Sequence, residues 1–199
     1  MQMELSSRLN LYMTVPCTES LGPYKRFAIW VQGCNRRCLG CITKDAWPID
    51  GGESIAVSEL IAQIIEQKEI EGITISGGEP FLQEDALCDL ICRIKHERDL
   101  GVIIYTGFNY SDIKDSRLAK LCDLMIDGEY VNYLDDGMSL RGSSNQNIIN
   151  VTKRYIGISD EYYGRLGRKV EFLFREGRMD MVGIPPKELV EIQVNRSKV

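Results

Sequence analysis

Three cysteines fall within eight residues, in the run Gly33-Cys34-Asn35-Arg36-Arg37-Cys38-Leu39-Gly40-Cys41, at spacings of four and three. Thiolates gathered so tightly need an electrophile to hold them, and a metal ion or an iron–sulfur centre supplies one. A disulfide suits neither the odd number nor the reducing compartment argued below. A zinc knuckle is the plainer alternative, but zinc sites usually draw on paired C-x2-C units. Here Cys17, Cys88, Cys92 and Cys122 are scattered, and His96 is the only histidine. Three close cysteines without an evident fourth also suit a four-iron cubane with one iron left open. On a helix the spacing would bring the thiols to one face, whereas Gly33 and Gly40 favour a loop whose backbone can approach a bound centre.

Other segments carry weaker chemical signals. Ser76-Gly77-Gly78-Glu79-Pro80 follows a strand pattern; it reads as a tight turn or as backbone brought close to a small molecule. Tyr105-Thr106-Gly107-Phe108 and Asp127-Gly128 also sit at strand ends and taken alone are turns. In Arg141-Gly142-Ser143-Ser144-Asn145-Gln146 one cation and several donors suit a carboxylate or a ribose, though the composition is that of an ordinary loop. Cys88 and Cys92 lie four apart on one helix, a spacing that could pair them around a second metal, but such cysteines more often are small buried hydrophobes. Cys17 is a spare thiol near the strand entering the cysteine loop. His96, among Lys95, Glu97 and Arg98, belongs to a solvated helix end.

The elements that must position these residues follow from periodicity. Alternation over residues 9–15 predicts a strand ending at Pro16, and the apolar stretch 26–32 a buried strand feeding the cysteine loop. Residues 42–56 read as loop. Helices are predicted from 58 to 69, through Leu87, Leu90, Ile91 and Ile94, and over 116–121, with strands at 72–76, 102–105 and 124–126 between them. Strands alternating with helices predict an α/β fold with a parallel sheet, and in such sheets ligands lie along the C-terminal strand edge. Residues 130–147 form a polar connection and 148–156 a strand. Residues 169–174 and 181–184 form a hairpin around a turn at 176–180, and a short helix covers 187–192.

Composition bounds the rest. A chain of 199 residues, 44% hydrophobic and 27% charged, can bury one domain's core. A net charge of −5 gives no general reason to expect nucleic acid. No apolar run approaches a membrane span, and the N-terminus lacks the apolar stretch of a signal peptide, so a soluble cytoplasmic protein is expected.

Taken together, Cys34, Cys38 and Cys41, the preceding run Arg26-Phe27-Ala28-Ile29-Trp30-Val31-Gln32-Gly33, Trp47, the Gly77-Gly78-Glu79 turn, and Leu124 to Val131 followed by Arg141 to Gln146 resemble the radical S-adenosylmethionine (SAM) superfamily. Within it, they resemble the activating proteins of anaerobic ribonucleotide reductase. The resemblance covers residues 10–147. It implies a single-domain incomplete (βα) barrel with a curled parallel sheet and a core of residues 1–154; residues 155–199 exceed what the resemblance needs, and the alternation of Lys169 to Phe174 predicts that they form a β-rich C-terminal extension packed on that core. It implies a [4Fe-4S] cluster on Cys34, Cys38 and Cys41, with SAM completing the fourth iron. SAM contacts are implied at Gly40 and Ile42 beside the last cysteine, at Gly77, Gly78, Glu79 and Pro80, at Thr106 and Gly107, and at Asp127, Arg141, Ser143 and Asn145. The implied partner is a glycyl radical enzyme, with a flavodoxin- or ferredoxin-type electron donor and neither nucleic acid nor membrane. Two rivals stand beside this: a radical SAM enzyme acting on a peptide or small molecule, which the extra C-terminal residues favour, and a non-catalytic iron–sulfur or zinc adaptor.

Overall fold

A computed structural model describes residues 7–158, 167–175, 178–186 and 189. In chain order the elements are β1 (Arg8–Thr18), β2 (Arg26–Val31), β3 (Glu53–Ala56), α1 (Val57–Glu66), β4 (Gly72–Gly77), α2 (Glu84–Glu97), β5 (Gly101–Tyr105), α3 (Tyr110–Ile113), α4 (Arg117–Leu121), β6 (Leu124–Asp127), β7 (Asn147–Asn150), β8 (Val170–Arg175) and β9 (Arg178–Gly183). The first seven strands form one sheet in the order β3-β1-β2-β4-β5-β6-β7, and β8 pairs with β9. The α/β expectation therefore holds. Its parallel part is the centre, β2-β4-β5-β6, while β1, β3 and β7 join antiparallel at the margins.

Strand alternation divides the core. Phe27, Ile29 and Val31 of β2, Ile73 and Ile75 of β4, and Val102 and Ile104 of β5 pack with Leu60, Ile64, Leu87, Leu90, Ile91 and Ile94 of the helices. The intervening residues face the other way. Ala28 and Trp30 join Val15, Leu21 and Val182, and Ile103 joins Leu124, Ile126 and Tyr155. Burial on both faces explains why the central strands are continuous apolar runs.

Arg26, the first residue of β2, is fully buried. Its guanidinium donates to Thr74 Oγ1 at 2.7 Å, Glu71 Oε2 at 3.0 Å, the Tyr155 hydroxyl at 2.9 Å, and the carbonyls of Ile73 and Gly101 at 2.7 and 2.9 Å. A buried cation is tolerable when its donors are satisfied in this way. Only glycine fits beside it: a Cβ on Gly72 would stand 2.6 Å from Arg26 Nη2, and one on Gly101 would stand 2.0 Å from the Tyr155 oxygen. The cluster ties the N-terminal ends of β2, β4 and β5 together, at the edge opposite the cysteines.

Several boundaries differ from the sequence expectations. β1 runs through Pro16 because β3 pairs only with its first half and a register shift separates Val15 from Thr18, so the missing N–H breaks no regular ladder. The stretch 42–56 contains the short β3, whose Glu53 and Ser54 are exposed. α1 ends at Glu66. The strand expected over 148–156 is the four-residue β7. The hairpin is present, with β9 beginning at Arg178, inside the stretch expected to turn; Glu176, Gly177 and most of the 187–192 helix lie outside the described residues.

Candidate functional site

β2 ends at Val31, and the chain turns at once into the cysteine loop. A 3-10 turn over Lys44–Ala46 braces that loop: Gly33 N donates to Ala46 O at 2.8 Å, and Cys34 N to Trp47 O at 3.1 Å. Gln32 Nε2 adds bonds to Asp45 O and Pro48 O at 3.2 and 2.7 Å. Positive φ angles at Gly33, Arg37 and Gly40 wind the loop. Gly40 has no room for a side chain, since its Cβ would stand 2.9 Å from Asn132 Cβ. The loop expectation is thus met.

Cys34 is buried, and Cys38 and Cys41 are half-buried. Burial pushes the Cys38 and Cys41 thiols up, against backbone donors at Tyr130 and Thr43 respectively. Cys41 Sγ accepts the Thr43 amide at 3.4 Å, and the Trp47 side chain is a further donor to it. An electrophile bound here must displace protons that burial retains, while the N–H donors stabilise the sulfur charge that results. Among the described residues no three His, Cys, Asp or Glu side chains converge on a point for a single metal ion. The thiols line the wall of a cavity instead.

That cavity, of about 390 Å³, is bordered by Cys34, Cys38, Gly40, Cys41 and Ile42, by Ser76, Gly77, Gly78 and Glu79 at the end of β4, and by Tyr105, Thr106 and Gly107 at the end of β5. Its size is that of a small-molecule site. The parallel register sets the C-terminal ends of β2 and β4 side by side, with Val31 opposite Gly77. Gly78 packs directly on the cysteine loop: its amide donates to Val31 O at 2.7 Å, the Glu79 amide to Gly33 O at 2.8 Å, and a Cβ on Gly78 would stand 2.1 Å from Gly33 O. With those amides committed, an amine ligand, itself a donor, must use carbonyl oxygens.

Glu79 is almost wholly buried. Its carboxylate accepts the Thr106 hydroxyl and the Gly107 amide, each at 2.8 Å, and the Phe81 amide at 3.2 Å, capping the turn Pro80–Gln83. Burial raises its pKa against the pull of these donors and of Arg36. Pro80 is buried as the first residue of that turn and does not border the cavity.

The remaining expected residues do not border the cavity. Asp127 is buried; Oδ2 accepts the Tyr110 amide at 2.6 Å, and Oδ1 accepts Asn147 Nδ2 at 2.8 Å. Ser143 Oγ accepts the Val131 amide at 3.1 Å, Asn145 Nδ2 donates to Glu129 O at 2.8 Å, and Arg141 pairs with Asp136. Their neighbours Gly128, Gly142 and Gln146 border the cavity in their place, with Gln146 Oε1 accepting the Gly142 amide at 2.8 Å.

Sequence reasoning missed Arg36, Trp30, Tyr130 and the C-terminal trio Gly183, Ile184 and Pro185, all of which border the cavity. Arg36 lay inside the motif and its charge was the available signal. Its Nη2 pairs with Glu129 at 3.0 Å, its guanidinium stacks 4.6 Å from the Phe108 ring centroid, and its buried Nε has no protein partner. Three thiols on one cavity, N–H donors to sulfur and an unpaired buried cation donor fit an anionic thiolate-held cluster with a small polar ligand beside it.

Comparisons with known proteins agree with this chemistry. A family model described as a 4Fe-4S single cluster domain matches residues 20–149. The chain is similar to the anaerobic ribonucleoside-triphosphate reductase-activating protein of Enterobacteria phage T4, 29% identical over 70% of this chain and 93% of that protein. It is likewise similar to that of Vibrio cholerae, 29% identical over 72% of this chain and 99% of that protein. The pyruvate formate-lyase-activating enzyme of Clostridium pasteurianum is 31% identical over 58% of this chain and 50% of that enzyme. With the matched span containing both the cysteine loop and the glycine turn on one cavity, the chain belongs to the 4Fe-4S single cluster domain family.

Proposed function

We propose that the chain is a radical SAM activating enzyme that installs a glycyl radical on a partner, with an anaerobic ribonucleotide reductase as the foremost candidate. The observation carrying this reading is that Cys34, Cys38 and Cys41 border the same cavity as the Gly77-Gly78-Glu79 turn. An adaptor that merely holds a cluster has no need of such a cavity. Cys34, Cys38 and Cys41 would hold a [4Fe-4S] cluster, which with SAM would supply the chemistry of a one-electron reductive cleavage to methionine and of hydrogen-atom abstraction from a glycine Cα, with 5′-deoxyadenosine as the co-product.

The chain's own residues bind and orient. Carbonyl oxygens at Gly77 and Gly78 suit the SAM amine, and Arg36 Nε suits its carboxylate. Thr106 and Gly107, held by Glu79, with Gly40 and Ile42, Gly128, Gly142 and Gln146, form the remaining contacts. Asp127, Arg141, Ser143 and Asn145 act by shaping the last three. The parallel sheet is read as an incomplete barrel, with residues 1–154 as its core and 155–199 as an extension; the packing of Leu173 and Val182 with the cluster of Val15, Leu21, Ala28 and Trp30 supports an extension that packs on the core. A flavodoxin- or ferredoxin-type protein serves as the electron donor in the cytoplasm.

The test is anaerobic reconstitution followed by dithionite reduction with SAM. Release of 5′-deoxyadenosine, and an organic radical signal on the partner, are expected. A protein that carries four irons yet leaves SAM intact would overturn the reading.

A further inference from the structure

The matched family span ends at residue 149, yet residues far beyond it complete the cavity. On one side, Leu173 of β8 and Val182 of β9 pack with Val15, Leu21, Ala28 and Trp30. The Glu19 amide donates to Glu171 Oε1 at 2.7 Å, so the hairpin is fastened to the β1–β2 margin. On the other side, Arg168 reaches the segment that follows β6. Its Nη2 and Nη1 donate to the two carboxylate oxygens of Asp135 at 2.7 and 3.0 Å, in fork geometry. Nη2 also donates to the carbonyls of Arg141 and Gly142, both at 3.1 Å, and Nη1 to Pro185 O at 3.2 Å. Both side chains of the pair are nearly inaccessible, at 5% and 7%. β2 and β6 are separated by β4 and β5. The C-terminal segment therefore crosses from one margin of the parallel centre to the other, and Gly183, Ile184 and Pro185 face the cavity between those anchors.

We infer that Ile184 and Pro185 form a substrate-selecting wall, and that Arg168 is the positioning residue that fixes it. The inference rests on the reading that the cavity holds SAM and admits a partner's glycine. Leu21 and Trp30 border the same cavity, and of its two carboxylates Asp135 is neutralised by Arg168 while Glu79 is taken up by the Thr106 hydroxyl and the Gly107 amide. With Arg36 Nε given to the SAM carboxylate, the wall at Ile184 and Pro185 presents apolar surface that suits an uncharged, extended peptide segment. A buried carboxylate deprived of its guanidinium cannot keep its place, so the loop and the wall must loosen together when Arg168 is lost.

The test uses the full chain with two variants. In Arg168→Gln, hydrogen exchange of the Gly142, Ser144, Gly183 and Ile184 amides should quicken together by about tenfold or more; Arg168→Lys, which keeps the charge without the fork, should restore part of the protection. Quickening confined to residues 168–175 would overturn the positioning role. In Ile184→Trp, the ratio of glycyl radical formed on the source organism's anaerobic ribonucleoside-triphosphate reductase to 5′-deoxyadenosine released should fall about tenfold. An unchanged ratio would overturn the selecting role. The exchange measurement needs neither SAM nor partner, so if wild-type protein fails to cleave SAM the functional reading falls while the pinned wall is still judged by itself.

Discussion

The Thr106 hydroxyl donates to Glu79 Oε1 at 2.8 Å, and this one bond joins the C-terminal ends of β4 and β5 at the cavity. The second oxygen takes the Gly107 amide, so one buried carboxylate sets the spacing of two motif segments. In Glu79→Gln the new amide group must face a backbone donor. We expect a loss of about 1–3 kcal/mol in urea unfolding, together with weaker SAM binding, measured by equilibrium dialysis. Unaltered stability would mean that the junction is held by something else.

Cys38→Ala should abolish the cluster, whereas Cys88→Ala should retain it. Cys88 lies fully buried in the face of α2 that packs on the sheet, where its loss leaves a small cavity costing about 1 kcal/mol. Iron and sulfide content after anaerobic reconstitution separates the two outcomes.

Gly78→Val is expected to affect more than SAM. Because a Cβ there would stand 2.1 Å from Gly33 O and 3.1 Å from Ala46 O, the cysteine loop must shift to make room. Both iron loading and SAM binding should fall. Full iron content with lost SAM affinity would show that the loop had not moved.

At the opposite edge, Arg26→Met should be among the most damaging core substitutions. It leaves Glu71 facing Tyr155 with one cation fewer, and removes donors from three carbonyls and Thr74. Breaking a buried pair by removing one partner costs about 3–5 kcal/mol. Calorimetric melting of the variant checks this without any cofactor.

Tyr155 makes the same cluster sensitive to alkali. Burial pushes its phenol from 10.0 up to about 12, with Arg26 pulling the other way. The folded state therefore holds this proton to higher pH than the unfolded chain does. The contribution to stability is complete below pH 10 and is lost as pH rises through about 12. The urea midpoint should fall across that window in the wild type, and less steeply in Tyr155→Phe. Parallel slopes would remove Tyr155 from the account.

Much of the parallel centre was legible because its strands are apolar on both faces and alternate with helices of clear periodicity, as with Leu87, Leu90, Ile91 and Ile94. The cysteine cluster was legible from its spacing, and its loop conformation from Gly33 and Gly40. β3 was not: a four-residue marginal strand with two exposed polar residues has no pattern of its own and exists only because β1 offers it a ladder. Asp127, Ser143 and Asn145 were read as groups facing a ligand, since their donors and acceptors are visible in sequence. What sequence hides is that Tyr110, Val131 and Glu129 use them first. Ile184 and Pro185 gave no chemical signal whatever; they reach the cavity through Arg168 and Asp135, 33 residues apart, a pairing that no local pattern encodes.

The chain has two tryptophans, and both Trp30 and Trp47 border the cavity. All of its indole fluorescence therefore originates at the wall of the site. An iron–sulfur centre absorbs where indole emits, and Trp47 lies against Cys41, so the unlabelled protein reports occupancy of its own loop: bright when empty, quenched when loaded, and bright again as oxygen strips the iron.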